Sequence, residues 1–515
     1  MSRPTRRSLL IGAAGLAACG AEGGRRSRPE PTADLDSGEL PVDSGTPSTT
    51  PTGDPTWLET ADTAMPHTAP GRTRPNVLLV FPDQLRAMAL SALGERNIRT
   101  PVFDALWAES AGFRQAVTPG PVCTPARAAL WTGWYPYATG TSENDSFLPQ
   151  DAPTLAKELR ALGYTTGYVG KWHLAGGRQE GLIPPDHRGG FVDWFAGHNM
   201  GHNYIGAQYW TDGTEVAQRP DPPGTWEPTW QTTLALDYLE ERAREPDQPW
   251  FLVVSWGPPH PNGNWPVDWT TDVPPDLFER VDGEALTFRE NVPEWIKVPN
   301  RTPALGYSDP HGARRFLKGY YACILGLEAE LQRLLDRLAA LSMREDTIVL
   351  FASDHGEMAG SHGRYKKGNW HEESVRIPLS FRWPGMIAPR ELDTPATLVD
   401  VLPTLRVMCG GDPWSIGHGR DLSGLLLEGT EPAGDWTGSY IARKESGPNQ
   451  RRALRTPRWK YGEALGFPAL NALFDLEADP WEQVNLFDDP DLGDVQAELA
   501  AELLARRVAT GDPSL

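Results

Sequence analysis

Five short apolar runs, four of them leading to polar residues, constrain this chain more than any other feature. Val77-Leu78-Leu79-Val80-Phe81 is continuous rather than alternating and stops at Pro82-Asp83-Gln84. A run without alternation reads as a strand buried on both faces, the habit of parallel sheets. Thr166 to Val169, Trp250 to Ser255, Thr347 to Ala352 and Pro378 to Arg382 repeat the pattern. Helical patterns lie between, notably Pro153 to Leu162 and Leu325 to Leu341. In the latter, Leu327, Leu331, Leu334, Leu335 and Leu338 share a face opposite Arg and Glu. Strands alternating with helices predict an α/β fold with a doubly wound, mainly parallel sheet. Beyond about Gly410 the signal changes to short strands such as Trp459-Lys460-Tyr461 and a closing helix from Val495 to Val508. That predicts a smaller α+β C-terminal subdomain over 411–515.

The 515 residues suffice for one large α/β domain with an appendage, and 39% hydrophobic with 23% charged residues is a globular composition. A formal charge of −20 argues against a nucleic-acid partner. It also gives no long-range attraction to polyanions, so any such attraction needs a local basic pocket. Arg3, Arg6 and Arg7 followed by apolar Ser8 to Ala18 read as an export signal over 1–18. Leu16-Ala17-Ala18-Cys19 has the form of a bacterial lipobox, with Cys19 lipidated as the mature N-terminus, and Thr5 to Leu10 has the form of a twin-arginine signal. An ordinary cleaved signal with an incidental cysteine is the alternative. The lipoprotein reading implies a bacterial cell-envelope protein, periplasmic or on the outer surface, anchored to the membrane through its N-terminal lipid. Residues 19–74, rich in Pro, Thr, Ser, Gly and Asp, read as a disordered tether. Of four cysteines, Cys323 and Cys409 are left either to pair or to stand as buried thiols.

Polar residues cluster just past the strand ends, where open α/β sheets hold their ligands. Asp83-Gln84 follows the first run, and Gly170-Lys171-Trp172-His173 follows the second. Pro258-Pro259-His260-Pro261 follows the run at 250, and Ser353-Asp354-His355-Gly356 the run at 347. Cys123-Thr124-Pro125-Ala126-Arg127 opens a helical stretch reaching Trp131. Pro125 suits a first helical turn, which puts residue 123 at a helix N-terminus, where free N–H groups and the dipole favour an anion.

Cys-x-Pro-x-Arg is the modification signature of type I sulfatases, and over about residues 75 to 490 the chain resembles that family of the alkaline-phosphatase-like superfamily. The resemblance is carried by Pro75-Asn76-Val77-Leu78, by Cys123 to Arg127 with Leu130-Trp131-Thr132-Gly133, and by Gly163-Tyr164 to His173. Pro259-His260-Pro261, Ser353 to Gly363, Lys367-Gly368, Glu372 to Pro378, Leu473 to Leu476 and Asp479-Pro480 follow in family order. Ala126 stands where serine is usual. The resemblance implies a sulfatase catalytic domain over 75–410 that hydrolyses sulfate esters, with Cys123 converted to formylglycine by a formylglycine-generating enzyme. One hydroxyl of the hydrated aldehyde attacks sulfur. Losing the proton of the other re-forms the aldehyde and expels sulfate, whereas a serine ester would need water to attack sulfur. Twin-arginine export of folded proteins suits an enzyme modified before it leaves the cytoplasm.

The resemblance also implies one divalent cation held by Asp83, Gln84, Asp354 and His355. Oxygen donors favour calcium. Gln84 and His355, where many relatives carry Asp and Asn, keep manganese and magnesium as alternatives. Arg127 is implied to hold the diol, and Lys171 and Lys367 to neutralise charge on sulfate and leaving oxygen. His260 is implied to move a proton on the leaving-group side with Lys367, and His173 on the diol side. Lys366 reads as a surface charge, and Asn144 as either a sulfate contact or a turn residue. A phosphonate or phosphate mono- or diester hydrolase stays open as a second function, and a non-catalytic surface glycan-binding protein as a third. Among twenty tryptophans, Trp194, Trp210, Trp226, Trp230, Trp256, Trp265 and Trp269 gather between strands. There they either stack on the rings of a sulfated glycan or fill the core.

Overall fold

The computed structural model describes residues 74–177, 182–211, 224–262, 267, 269–270, 272–297, 312–432, 438–443 and 450–514. The expected export signal, Cys19 and nearly all of the expected tether lie outside the described residues. Among these residues, the larger sheet comprises β1 (Asn76–Val80), β2 (Ala111–Phe113), β3 (Thr165–Lys171), β4 (Trp194–His198), β5 (Trp210–Thr211), β6 (Trp250–Ser255), β7 (Thr347–Ala352), β8 (Leu379–Arg382) and β9 (Arg390–Leu392). Their order is β5-β4-β3-β6-β1-β7-β8-β2-β9. The central block β4-β3-β6-β1-β7 is parallel throughout.

One expected strand runs the other way. Pro378 to Arg382, read as another member of the parallel set, becomes β8, antiparallel to both β7 and β2. A parallel return needs a crossover element laid over the sheet. The chain between β7 and β8 carries only a 3-10 turn at Ser361–Gly363 and one helical turn at Glu372–Val375. With no such crossover, the chain re-enters the sheet reversed.

Alternate residues of the central strands feed two separate cores. Leu78, Val80, Leu252, Val254, Val349 and Phe351 pack with the helix Gly312–Ala340 on one side. Val77, Leu79, Phe81, Phe251, Val253 and Ile348 pack with Leu130, Trp131, Leu155 and Leu405 on the other. Burial on both faces is what the unbroken apolar runs demand. Cys323 and Cys409 are free, buried thiols in these different cores, so they do not pair. Trp226, Trp256 and Trp269 are also core, whereas Trp194, Trp210 and Trp230 are half-buried and Trp265 lies outside the described residues.

The helix expected from Leu325 begins at Gly312. Its first turns carry Phe316, Tyr320 and Tyr321 in place of leucines, all buried, with Phe316 packed against Trp269 and Tyr365. The helix expected over Pro153 to Leu162 spans Leu155–Ala161 and is capped by the Thr154 side chain, which accepts from Lys157 N.

The C-terminal region forms an antiparallel sheet of β10 (Ser439–Arg443), β11 (Arg451–Arg455), β12 (Trp459–Ala464) and β13 (Ala472–Asp475). The closing helix Gly493–Ala509 covers one face through Leu499 and Leu503. The other face lays Ile441, Ala453 and Phe474 on Val117, Trp370 and Val375 of the larger sheet's loops. Glu372 sits between Arg455 and Lys460 of this sheet at 3.0 and 2.7 Å, fastening the two regions.

Candidate active site

The loops at the C-terminal edge of the parallel block converge on the helix Cys123–Thr132, whose residues are all buried. Cys123 is its first residue. Asn144 Oδ1 accepts from the Thr124 N–H at 3.1 Å, so Asn144 serves the start of this helix. Cys123 Sγ lies 3.2 Å from His355 Nε2 and 3.8 Å from both Asp83 Oδ1 and Lys171 Nζ. Burial pushes the thiol pKa up, but Lys171, Lys367 and His355 outweigh it and hold the thiol well below its usual range. The niche therefore favours a negatively charged atom on residue 123.

Asp83 and Asp354 are fully buried side by side. Arg127 joins them, its Nε 3.2 Å from Asp354 Oδ2 and its NH2 nitrogen 3.4 Å from Asp83 Oδ2. The guanidinium also donates to Lys171 O and Ser255 Oγ at 2.8 and 2.9 Å. These hydrogen bonds of Arg127 thus run to the two carboxylates and the β3 and β6 strand ends, where the resemblance implied a hold on the diol. Lys171 Nζ lies 2.5 Å from Asp83 Oδ2. Burial and Cys123 act to raise the Asp83 pKa, yet Lys171, His260 and Arg127 bring it below the carboxylate range. Asp354 goes up instead, through burial and its neighbour Asp83.

Asp83 Oδ1, Asp354 Oδ1 and His355 Nε2 remain turned toward one another, with His355 Nε2 3.7 and 3.8 Å from the two oxygens. Two ligands about 2.3 Å from one ion and at right angles stand about 3.3 Å apart, so the spacing suits one cation. Asp83, Cys123, Asp354 and His355 all offer ligand atoms within 4.8 Å of one another. His355 Nδ1 lies 3.0 Å from Gly356 O, so Nε2, beside Cys123 Sγ here, is the nitrogen that would ligate a metal on giving up its proton. The donor set fits a divalent cation.

Gln84 is placed with them but held from behind. Its backbone is left-handed at φ 65°, with its carbonyl accepting from Tyr320 OH at 2.9 Å. Its side-chain N–H donates to Glu357, and its Oε1 accepts from Lys367 Nζ at 2.5 Å. Lys367 Nζ is also 2.7 Å from His260 Nε2, and His260 Nδ1 is 2.6 Å from Pro261 O. An ammonium only donates and a carbonyl only accepts, so His260 is the neutral Nδ1–H tautomer. Burial, with Lys367 beside it, lowers its pKa to about 4. Lys366, expected as a surface charge, is half-buried, and its backbone N–H donates to Glu357 at 2.7 Å.

His173 is buried at φ 57°, with Nε2 3.4 Å from Asp145 Oδ1, and its ring supports the lowered Cys123 pKa. The ten residues expected to act on the ester or hold the cation thus meet at one site. Three partners were missed. Glu357 anchors Gln84 and two loop N–H groups, a role hinted at by its place after Asp354-His355-Gly356. Ser255 ends β6 and bonds Arg127. His202 stacks on His260, with centroids 3.9 Å apart. Nothing in the sequence singles out His202, because its loop lies far from 260 along the chain.

The family model for sulfatases matches residues 75–408, and that for the C-terminal region of N-sulphoglucosamine sulphohydrolase matches 360–509. An ulvan-active sulfatase of Formosa agariphila is 33% identical over 457 residues, covering 85% of this chain and 82% of that protein. A choline-sulfatase of Rhizobium meliloti is 32% identical over 81% of this chain and 83% of its own length. Among solved structures, yidJ of Bacteroides fragilis, assigned there to the sulfatases, superposes with a TM-score of 0.74 at 27% identity, covering 87% of this chain and 99% of that one. The chain belongs to the sulfatase family of the alkaline-phosphatase-like superfamily and is a sulfate-ester hydrolase.

Proposed function

We propose that this hydrolase cleaves sulfate esters of a glycan through a formylglycine made from Cys123 by a formylglycine-generating enzyme. The observation that carries the reading is the position of Cys123, first in its helix and within 3.8 Å of His355 Nε2, Asp83 Oδ1 and Lys171 Nζ. The sulfur marks where the hydrated aldehyde's oxygen would stand. Asp83, Asp354 and His355, with Gln84 at their side, are the residues that would hold the cation, calcium by their oxygen content, with manganese and magnesium as the alternatives. When bound, the cation supplies Lewis acidity at the attacking oxygen and a clamp on a sulfate oxygen.

This chain's residues do the rest. Arg127 fixes both carboxylates in one orientation. Lys171 adds positive charge where the incoming sulfate needs it. Lys367 holds a proton at Nζ on the leaving-group side. His260 Nε2 accepts from Lys367 in the free protein, and the substrate's negative charge is what raises His260 toward carrying a proton itself. His173, beside Asp145, serves the proton of residue 123. Of the relatives named above, the ulvan-active sulfatase supports a sulfated glycan as substrate, whereas the choline-sulfatase acts on a small molecule.

A phosphate or phosphonate ester is the second reading, favoured by Gln84. A neutral amide at that position gives the site one negative charge fewer than a carboxylate would, which suits a more highly charged oxyanion. Rates on matched nitrophenyl sulfate and phosphate diesters decide between them. We also propose a catalytic domain over 75–410, a C-terminal subdomain over 411–515, and export as a lipoprotein anchored through Cys19 to the cell envelope. Mass analysis of the mature N-terminus checks the anchor.

A further inference from the structure

Against the loop that leads into Cys123, and apart from the residues assigned above, the C-terminal sheet brings arginines together. Arg443 ends β10 and Arg451 opens β11, directly opposite each other in antiparallel register. Paired positions share a face of the sheet, where like charges repel. Arg451 lies over the Trp370 ring, 4.9 Å from its centroid. Arg443 packs over Gly368, where an added Cβ would meet the guanidinium at 3.4 Å. Burial, then Arg364 and Arg443, draws the Arg451 pKa down, so the three positive charges feel one another. Among the described residues, neither Arg364 nor Arg451 has a carboxylate within ion-pair distance. In a chain of net charge −20, such a gathering of one sign goes against the background.

Its place is set by the backbone. Ala442 N donates to Pro119 O at 2.8 Å, on the loop that leads into Cys123. Gly368 directly follows Lys367. Pro121, Asn369, Trp370, Arg443 and Arg451 pack together between them.

We propose that Arg443, Arg451 and Arg364 form a subsite for a second anionic group, a sulfate or a carboxylate, on the same glycan whose sulfate ester is cleaved at residue 123. This deepens the sulfatase reading and rests on it. A guanidinium fork matches the paired oxygens of either anion, and Trp370 beneath Arg451 holds one fork flat.

The test separates binding from turnover. A Cys123→Ala protein is titrated with N-acetyl-D-glucosamine 6-O-sulfate and with D-glucosamine 2-N,6-O-disulfate, which present one anion and two. A monosulfated uronate disaccharide and its carboxyl-reduced form ask the same of a carboxylate. The preferred two-anion probe is expected to bind about tenfold more tightly than its one-anion partner. Arg451→Gln and, on the exposed rim, Arg364→Gln should each shrink that ratio, while Arg451→Lys keeps more of it. A Tm within a few degrees of the parent checks folding. No advantage in either two-anion probe, or an advantage unchanged in Arg451→Gln, overturns the subsite. Turnover of 4-nitrophenyl sulfate by the Cys123 protein tests the sulfatase reading alone. Turnover without the ratio removes only the subsite, and the ratio without turnover removes only that reading.

Discussion

At residue 123 the surroundings favour negative charge on the side chain, because Lys171, Lys367 and His355 outweigh the cost of burial there. The same field would favour a deprotonated diol. The peptide carrying residue 123 should therefore be about 18 Da lighter than its cysteine form in active protein. Unmodified cysteine in fully active protein counts against the mechanism. On the leaving-group side, Lys367 and His260 share one proton line. Lys367→Ala and His260→Ala should slow an alkyl or sugar sulfate at least about tenfold more than a nitrophenyl sulfate, whose departing oxygen needs no proton. Equal slowing of both esters would show that neither residue supplies that proton. His362 gives a separate test. Burial and the stacked His371 lower its pKa to about 4, with Glu373, Glu482 and Lys460 as the other charged neighbours. Unfolded histidine titrates near about 6.5, so the unfolded chain binds more protons between these values. Stability is whole above pH 6.5 and falls as pH drops toward 4. His362→Asn, which tolerates the left-handed φ of 53°, should lose less stability between pH 7 and 4.5 in urea melts.

Among elements, the parallel strands matter as much for where they stop as for what they bury. β3 delivers Lys171 and β6 delivers Ser255, and both ends reach Arg127 on the helix between. This register leaves no room at Gly170. An added Cβ would stand 2.0 Å from Ser255 O, and its φ of 112° is foreign to side chains. Gly170→Ala should cost more than about 3 kcal/mol and displace Lys171, so kcat falls along with the denaturation midpoint. Parent-like stability in that variant would show that the β3–β6 approach is looser than described. The element-level surprises have local causes. β8 reverses because its connection holds loops rather than a crossover helix. The long helix starts before its leucines because Phe316, Tyr320 and Tyr321 bury its first turns.

Across the whole molecule, charges that are costly one by one are stabilised as networks. Asp83, Asp354, Arg127 and Lys171 neutralise each other in the buried site, and Glu372, Arg455, Lys460 and Glu482 do so where the C-terminal sheet docks. A cation bound only by the folded protein adds stability by mass action. Chelation is thus expected to abolish turnover and lower the Tm, and Asp354→Ala to lose the metal by elemental analysis while retaining the fold. Full activity in verified metal-free protein would refute the cation's role.

The chain's own order of residues determined the parallel sheet, the positions of the strand ends and the ten residues that meet beyond them. Unbroken apolar runs allow little else, and polar groups at the ends of buried strands must find a shared solvent-facing edge. The direction of β8, the separate burial of Cys323 and Cys409, and the use of most inter-strand tryptophans as partly or wholly packed core were decided only by tertiary structure. So were the turning of Arg127 toward two carboxylates, the stacking of His202 on His260 and the meeting of Arg443 with Arg451 near Cys123. These depend on which distant segments share a space, and local periodicity carries no record of that. Direction is set by how a connection closes, and protonation by the charges that packing brings within a few ångströms.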